Sequence, residues 1–122
     1  MVLVDTSVWV DHLRVGDPAL ARLLDAGGVL IHPFVIGELA LGNLRQRATV
    51  LGALSDLPRA AVATDAEVGH FIERQALFGR GLGHVDVHLL AAVRLTTGAL
   101  MWTRDRRLRA LAAELGLAHA DV

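Results

Sequence analysis

Four carboxylates, Asp5, Glu38, Asp86 and Asp105, fall at or near the ends of segments that read as regular structure. Asp5 closes the apolar run Val2-Leu3-Val4, and Asp105 comes shortly after Ala99-Leu100-Met101-Trp102. Glu38 lies one to two turns into a helix that follows Val29-Leu30-Ile31, and Asp86 opens an apolar helix from Val85 to Leu95. Alone, Asp5 reads as a solvated turn residue or a helix cap. Four acids sharing one crevice are different chemistry. At an effective dielectric near 20 and about 4 Å, each ionised pair costs roughly 4 kcal/mol. Such a cluster either takes up protons or binds a cation. Oxygen donors without thiolates or a His cluster suit a hard ion, Mg²⁺ or Mn²⁺. A hard ion held by acids suits phosphoryl chemistry.

The elements that would position these acids alternate between strand and helix. Val2 to Val4 reads as a strand buried on both faces, with Thr6 or Ser7 capping a helix through Val8, Trp9, Val10 and Leu13. Asp17-Pro18 starts a second helix, with its apolar stripe at Ala19, Leu20, Leu23 and Leu24, ended by Gly27-Gly28. Val29 to Ile31 is a second strand, Pro33 starts the helix carrying Glu38, and Leu44 to Leu54 is helical again. Ala60 to Ala63 is a weak third strand, poor in β-branched residues, and Thr64 or Asp65 caps a helix from Ala66 to about Phe78. The loop Gly79-Arg80-Gly81-Leu82-Gly83 follows a helix and has the wrong spacing for a phosphate cradle. Ala99 to Trp102 is a fourth strand, Arg106 to Leu115 the last helix, and Leu117 to His119 a fifth strand at the edge.

This pattern predicts an α/β fold, a central parallel sheet of four to five strands with helices on both faces. Ligands collect at the C-terminal ends of such strands, where the winding direction switches. If strands one and four are neighbours, Asp5, Glu38 and Asp105 can meet there. Asp86 reaches the same place only if the long helix and the Gly-rich loop carry the chain back over the top, because a helix preceding a strand normally starts at the opposite end.

Bulk properties narrow the field. A length of 122 residues makes one domain, 1–122, and 53% hydrophobic with 4% aromatic residues means a core of Leu, Val and Ala. The absence of cysteine excludes thiol catalysis, thiolate metal sites and disulfides. All 12 basic residues are Arg, which excludes lysine Schiff bases and the P-loop lysine. A net charge of −1 provides no general basic field, so nucleic acid would have to be met by a local Arg patch. Asp5 and Asp11 stand where a signal peptide needs cations, and no apolar run reaches membrane-spanning length, so a soluble cytoplasmic protein without a membrane partner is expected.

Four segments together carry a family resemblance: Val2-Leu3-Val4-Asp5-Thr6-Ser7-Val8-Trp9, Pro33-Phe34-Val35-Ile36-Gly37-Glu38-Leu39, Asp86-Val87-His88-Leu89-Leu90-Ala91-Ala92, and Trp102-Thr103-Arg104-Asp105-Arg106-Arg107-Leu108. In content, order and overall length the chain resembles the PIN-domain ribonucleases, and within them the VapC-type toxins of bacterial toxin–antitoxin pairs. The resemblance implies a three-layer α/β/α fold with all four acids in one pocket. By position, Asp5, Glu38, Asp86 and Asp105 look like the metal-binding and catalytic acids, and Ser7 and Thr103 like polar residues supporting them. It further implies a Mg²⁺- or Mn²⁺-dependent endoribonuclease whose products carry a 5′-phosphate and a 3′-hydroxyl. A homodimer is implied too, neutralised by a small VapB-like antitoxin held in a groove of the first and third helices. The chain departs from the pattern at His32, where relatives often have Ser or Thr. A non-catalytic PIN-like module that holds RNA or protein, and an RNA-processing PIN nuclease without an antitoxin, are the alternatives.

Around these acids lie weaker candidates. Arg104, Arg106, Arg107 and Arg109 surround Asp105; they read as phosphate contacts or as the solvated start of a helix, where cations oppose the helix dipole. Arg80, between glycines, is a further candidate for RNA. His84 and His88 are four apart beside Asp86 and read as substrate contacts or, more simply, as capping and packing groups. Trp9, Phe34, Phe71 and Phe78 look too scattered for a base-stacking platform. A haloacid-dehalogenase-like phosphatase would need Asp at position 7, which is Ser, and a receiver domain would need a lysine.

Overall fold

The computed structural model describes residues 1–120. Three strands, β1 (Val2–Val4), β2 (Val29–Leu30) and β3 (Leu100–Trp102), form a parallel sheet in the order β2-β1-β3. Val2, Leu3 and Val4 are 5%, 0% and 0% exposed; because neighbouring strand side chains point to opposite faces, both faces of the sheet are covered. Seven helices do the covering: α1 (Thr6–Val15), α2 (Pro18–Asp25), α3 (Pro33–Ala40), α4 (Arg47–Ser55), α5 (Asp65–Arg74), α6 (His84–Leu95) and α7 (Arg106–Glu114). Central burial falls on α6, where Val87 to Val93 are all buried.

The expected four to five strands are corrected to three. The segment expected as a third strand touches β2 only through the parallel bridge Ile31–Arg59, with Ile31 N–H donating to Pro58 O and Ala60 N–H to Ile31 O. Pro58 has no N–H to extend this ladder, and Ala60 to Ala63 offer no β-branched surface until Val62, which is exposed. The expected fifth strand pairs with β3 at one residue, Met101–Ala118. Each edge of the sheet is thus flanked by a single-bridge segment that blunts it.

Helix ends follow local chemistry. Asp17 caps α2 through the Leu20 N–H, with Pro18 in the first turn, as expected. At α5 the cap is Thr64 in a reciprocal capping box with Glu67, and the helix stops at Arg74 rather than near Phe78. The residues after it turn back at Ala76, whose φ is +52°. α4 starts at Arg47, later than expected, because Gln46 takes a left-handed conformation at φ +51°. His32 caps α3 by accepting the Phe34 N–H on Nδ1 at 3.0 Å, the work a Ser or Thr hydroxyl would do at an N-cap.

Candidate active site

β1 and β3 are neighbours, with Val4 opposite Trp102. Asp5 therefore leaves the sheet beside the segment Thr103-Arg104-Asp105, and its N–H donates to Trp102 O at 2.9 Å. Neither Thr6 nor Ser7 caps α1: the cap is Asp5 itself, whose Oδ1 accepts the Thr6 N–H at 2.8 Å. Both hydroxyls are thereby released to other carboxylate oxygens. Ser7 Oγ donates to Asp5 Oδ2 at 3.2 Å, and Thr6 Oγ1 donates to Glu38 Oε1 at 2.6 Å, bridging α1 to α3. Thr6 was not among the expected site residues; its signal in the sequence is a second hydroxyl following the strand-end acid.

Thr103 Oγ1 donates to Asp5 Oδ2 at 2.7 Å and accepts the Asp105 N–H at 3.1 Å. Ser7 Oγ also accepts the Arg104 N–H at 3.2 Å. Asp5, only 6% exposed, thus receives three hydrogen bonds, which offset the cost of burying a carboxylate. Asp105 caps α7, its Oδ1 accepting the Leu108 N–H at 2.9 Å. Asp86 is the third residue of α6, after the cap Gly83. Three of the four acids thus sit at helix N-termini, where the dipole favours negative charge.

The pKa of Asp86 is raised, first by burial, then by the charges of Asp5 and Asp105, and further by Glu38, while the Gly83 N–H pulls it down. Asp86 is thus within electrostatic reach of Asp5, Asp105 and Glu38. Glu38 and Asp105 are exposed, Asp86 is half-buried and Asp5 is buried. Among the described residues no group of three or more His, Asp or Glu side chains is drawn together closely enough to hold a metal ion.

The flanking arginines are largely engaged. Arg104 Nη2 lies 2.6 Å from Asp17 Oδ2 and its Nη1 3.1 Å from Asp11 Oδ2, tying the loop after β3 to the α1–α2 elbow. Arg80 pairs with Glu114 at 2.9 Å, and Arg107 donates to Gly81 O. Arg106 is exposed at the first position of α7, with no carboxylate partner among the described residues. His88 is 2% exposed and packs edge-on against His84, at a centroid distance of 4.6 Å, and Phe34, at 4.9 Å.

A PIN-domain family model matches residues 2–114. The chain belongs to the PIN-domain family. It is similar to Ribonuclease VapC32 from two strains of Mycobacterium tuberculosis, at 50% identity over 121 residues, which cover 99% of this chain and 98% of each relative.

Proposed function

We infer that the chain is a VapC-type endoribonuclease, the toxin of a type II toxin–antitoxin pair, hydrolysing RNA phosphodiesters with Mg²⁺ or Mn²⁺. Full-length likeness to a ribonuclease supports the activity. The observation that carries the site assignment is the parallel pairing of β1 with β3, which brings Asp5 beside Thr103 and Asp105, with Thr6, the residue after Asp5, bonded to Glu38. Their all-oxygen donor set fits a hard divalent ion, and the raised pKa of Asp86 marks charge that a cation would offset. When bound, the ion lowers the pKa of water and offsets charge on the phosphate.

The chain's own residues then have distinct tasks. Asp5 is fixed by Ser7 and Thr103, Glu38 by Thr6, and Asp105 by its cap bond through Oδ1. Fixed acids cost little reorganisation when the ligand arrives. Arg106 is the arginine best placed to meet RNA phosphate, since Arg104 and Arg80 would each have to leave a carboxylate first. A VapB-like antitoxin fits the cavity of about 390 Å³ between α1 and α3, lined by Val10, Leu13, Arg14, Glu38 and Leu39. Homodimerisation and residence in the cytoplasm complete the reading. No helix among the described residues is long and apolar enough to cross a membrane.

The test is cleavage of total bacterial RNA by the purified chain with Mn²⁺ or with EDTA. Metal-dependent fragments with 5′-phosphate and 3′-hydroxyl ends, absent for Asp5→Asn and Asp105→Asn, are expected. Cleavage that persists in EDTA or in both variants would overturn the assignment.

A further inference from the structure

We propose that Phe34 and His84 form a stacking platform for one base of the RNA, seated beside the acidic crevice. The proposal rests on the ribonuclease reading and names how that site would hold its substrate. Three observations carry it. First, two local ring pairs, His32 with Phe34 and His84 with His88, join in one edge-on cluster: His32 to Phe34 at 5.1 Å, Phe34 to His88 at 4.9 Å, and His88 to His84 at 4.6 Å between centroids, with interplanar angles of 69°, 61° and 89°. Phe34, isolated among the aromatics of the sequence, gains ring neighbours once imidazoles are counted with it.

Second, burial divides the cluster in two. His32 is 0% and His88 2% exposed, whereas Phe34 is 37% exposed and His84 is exposed. The buried His88 touches both outer rings, and Phe34 and His84 are the solvent-exposed members of the cluster. Within the cluster His32 Nε2 and both ring nitrogens of His88 have no hydrogen-bond partner among the described residues, and His88 Nε2 lies 3.7 Å from Asp65 Oδ1.

Third, the cluster lies where a strand crossing the site must pass. α3 starts directly after β2, so Phe34 flanks the C-terminal end of that strand, while Asp5 ends the central β1 and Asp105 and Arg106 follow β3. Along this edge the order is rings, acids, cation. Phe34 also lies one turn before Glu38 on the same face of α3, and His84 lies two residues before Asp86. A single-stranded RNA with its scissile phosphate at the acids would meet Arg106 on one side and these rings on the other. Bases stack on aromatic and His rings with little sequence demand, since every base has a π-face.

The test uses the non-cleaving Asp5→Asn chain and single-stranded RNA decamers carrying fluorescent 2-aminopurine at successive positions. One position is expected to be quenched on binding. Phe34→Leu, which keeps apolar volume and removes the π-face, should abolish that quench and weaken binding about five- to fiftyfold. Phe34→Tyr should retain both, and His84→Ala should weaken binding to a smaller extent. In the cleaving chain Phe34→Leu should raise KM and leave kcat within about twofold. Melting curves matched to the parent establish that each variant is folded, and Phe34→Tyr keeps the test informative if the leucine variant is not. Leucine and parent chains binding alike, with RNA still cut, would overturn the platform alone. A parent chain that neither binds nor cuts RNA would overturn the ribonuclease reading with it. A change of oligomeric mass in Phe34→Leu with unchanged RNA affinity would make the patch a contact between copies and overturn the platform.

Discussion

The hydroxyl of Thr103 donates to Oδ2 of Asp5 at 2.7 Å, a buried bond joining residues 98 positions apart in the chain. The bond exists because β1 and β3 pair in parallel and end together. Thr103→Val keeps the shape and removes the donor. The expected outcome is a 10- to 100-fold weaker Mn²⁺ affinity and a loss of about 1–3 kcal/mol of metal-free stability, since a buried carboxylate loses a charge-assisted bond. Thr103→Ser should recover both. Calorimetric Mn²⁺ titration and urea unfolding measure them; an unchanged Mn²⁺ affinity in the valine variant would remove Thr103 from the supporting set.

Arg104 and Arg106 are expected to separate cleanly. Arg104 is committed to Asp11 and Asp17 at the surface, and Asp17 has a lowered pKa, first from the Leu20 N–H that it caps and then from Arg104. Arg104→Gln should cost no more than about 1 kcal/mol of stability and leave metal-free RNA affinity nearly unchanged. Arg106→Gln should weaken RNA binding and lower the slope of log affinity against log salt by about one. The reverse result in a salt titration would assign the phosphate contact to Arg104.

His32 predicts a pH dependence. Burial, with the positive fields of His88 and Arg59, lowers its pKa from 6.5 to about 4. The folded chain therefore takes up this proton later than the unfolded chain. Its contribution is complete above about pH 6.5, falls as pH drops from there to about 4, and amounts to about 3 kcal/mol. His32→Asn retains an acceptor for the Phe34 N–H and does not titrate. The difference between the two stability curves should slope across that window and flatten below it; parallel curves would show that His32 titrates normally.

Much of this site is readable before folding is considered. Strand-end acids, the Asp17-Pro18 start and the Thr64 cap follow from local chemistry, and local chemistry does not change on folding. What escapes the sequence depends on partners distant in the chain. Thr6 bonds Glu38 across 32 positions, and nothing in Asp-Thr-Ser tells which of the three side chains caps the helix. Arg104 reads as a free cation until α1 and α2 bring Asp11 and Asp17 to it. The sequence overstates the strand count at both edges because a segment pairing through one bridge has the same apolar look as a full strand. The electrostatic coupling of Asp86 to Asp5 and Asp105 depends on the path of the loop after α5, which no periodicity encodes.

The most direct test of the central claim is thermal unfolding of the parent chain and Asp86→Asn, each in EDTA and in Mn²⁺. Because Asp86 adds burial and repulsion to the crevice, the variant should melt higher in EDTA, by about 2–5 °C. At a hundredfold excess of Mn²⁺ over its dissociation constant the parent should gain about 2.7 kcal/mol, and the variant under the same conditions less than about a third of that. A parent that gains nothing in millimolar Mn²⁺, or a variant that gains as much as the parent, would contradict a cation site built from these four acids.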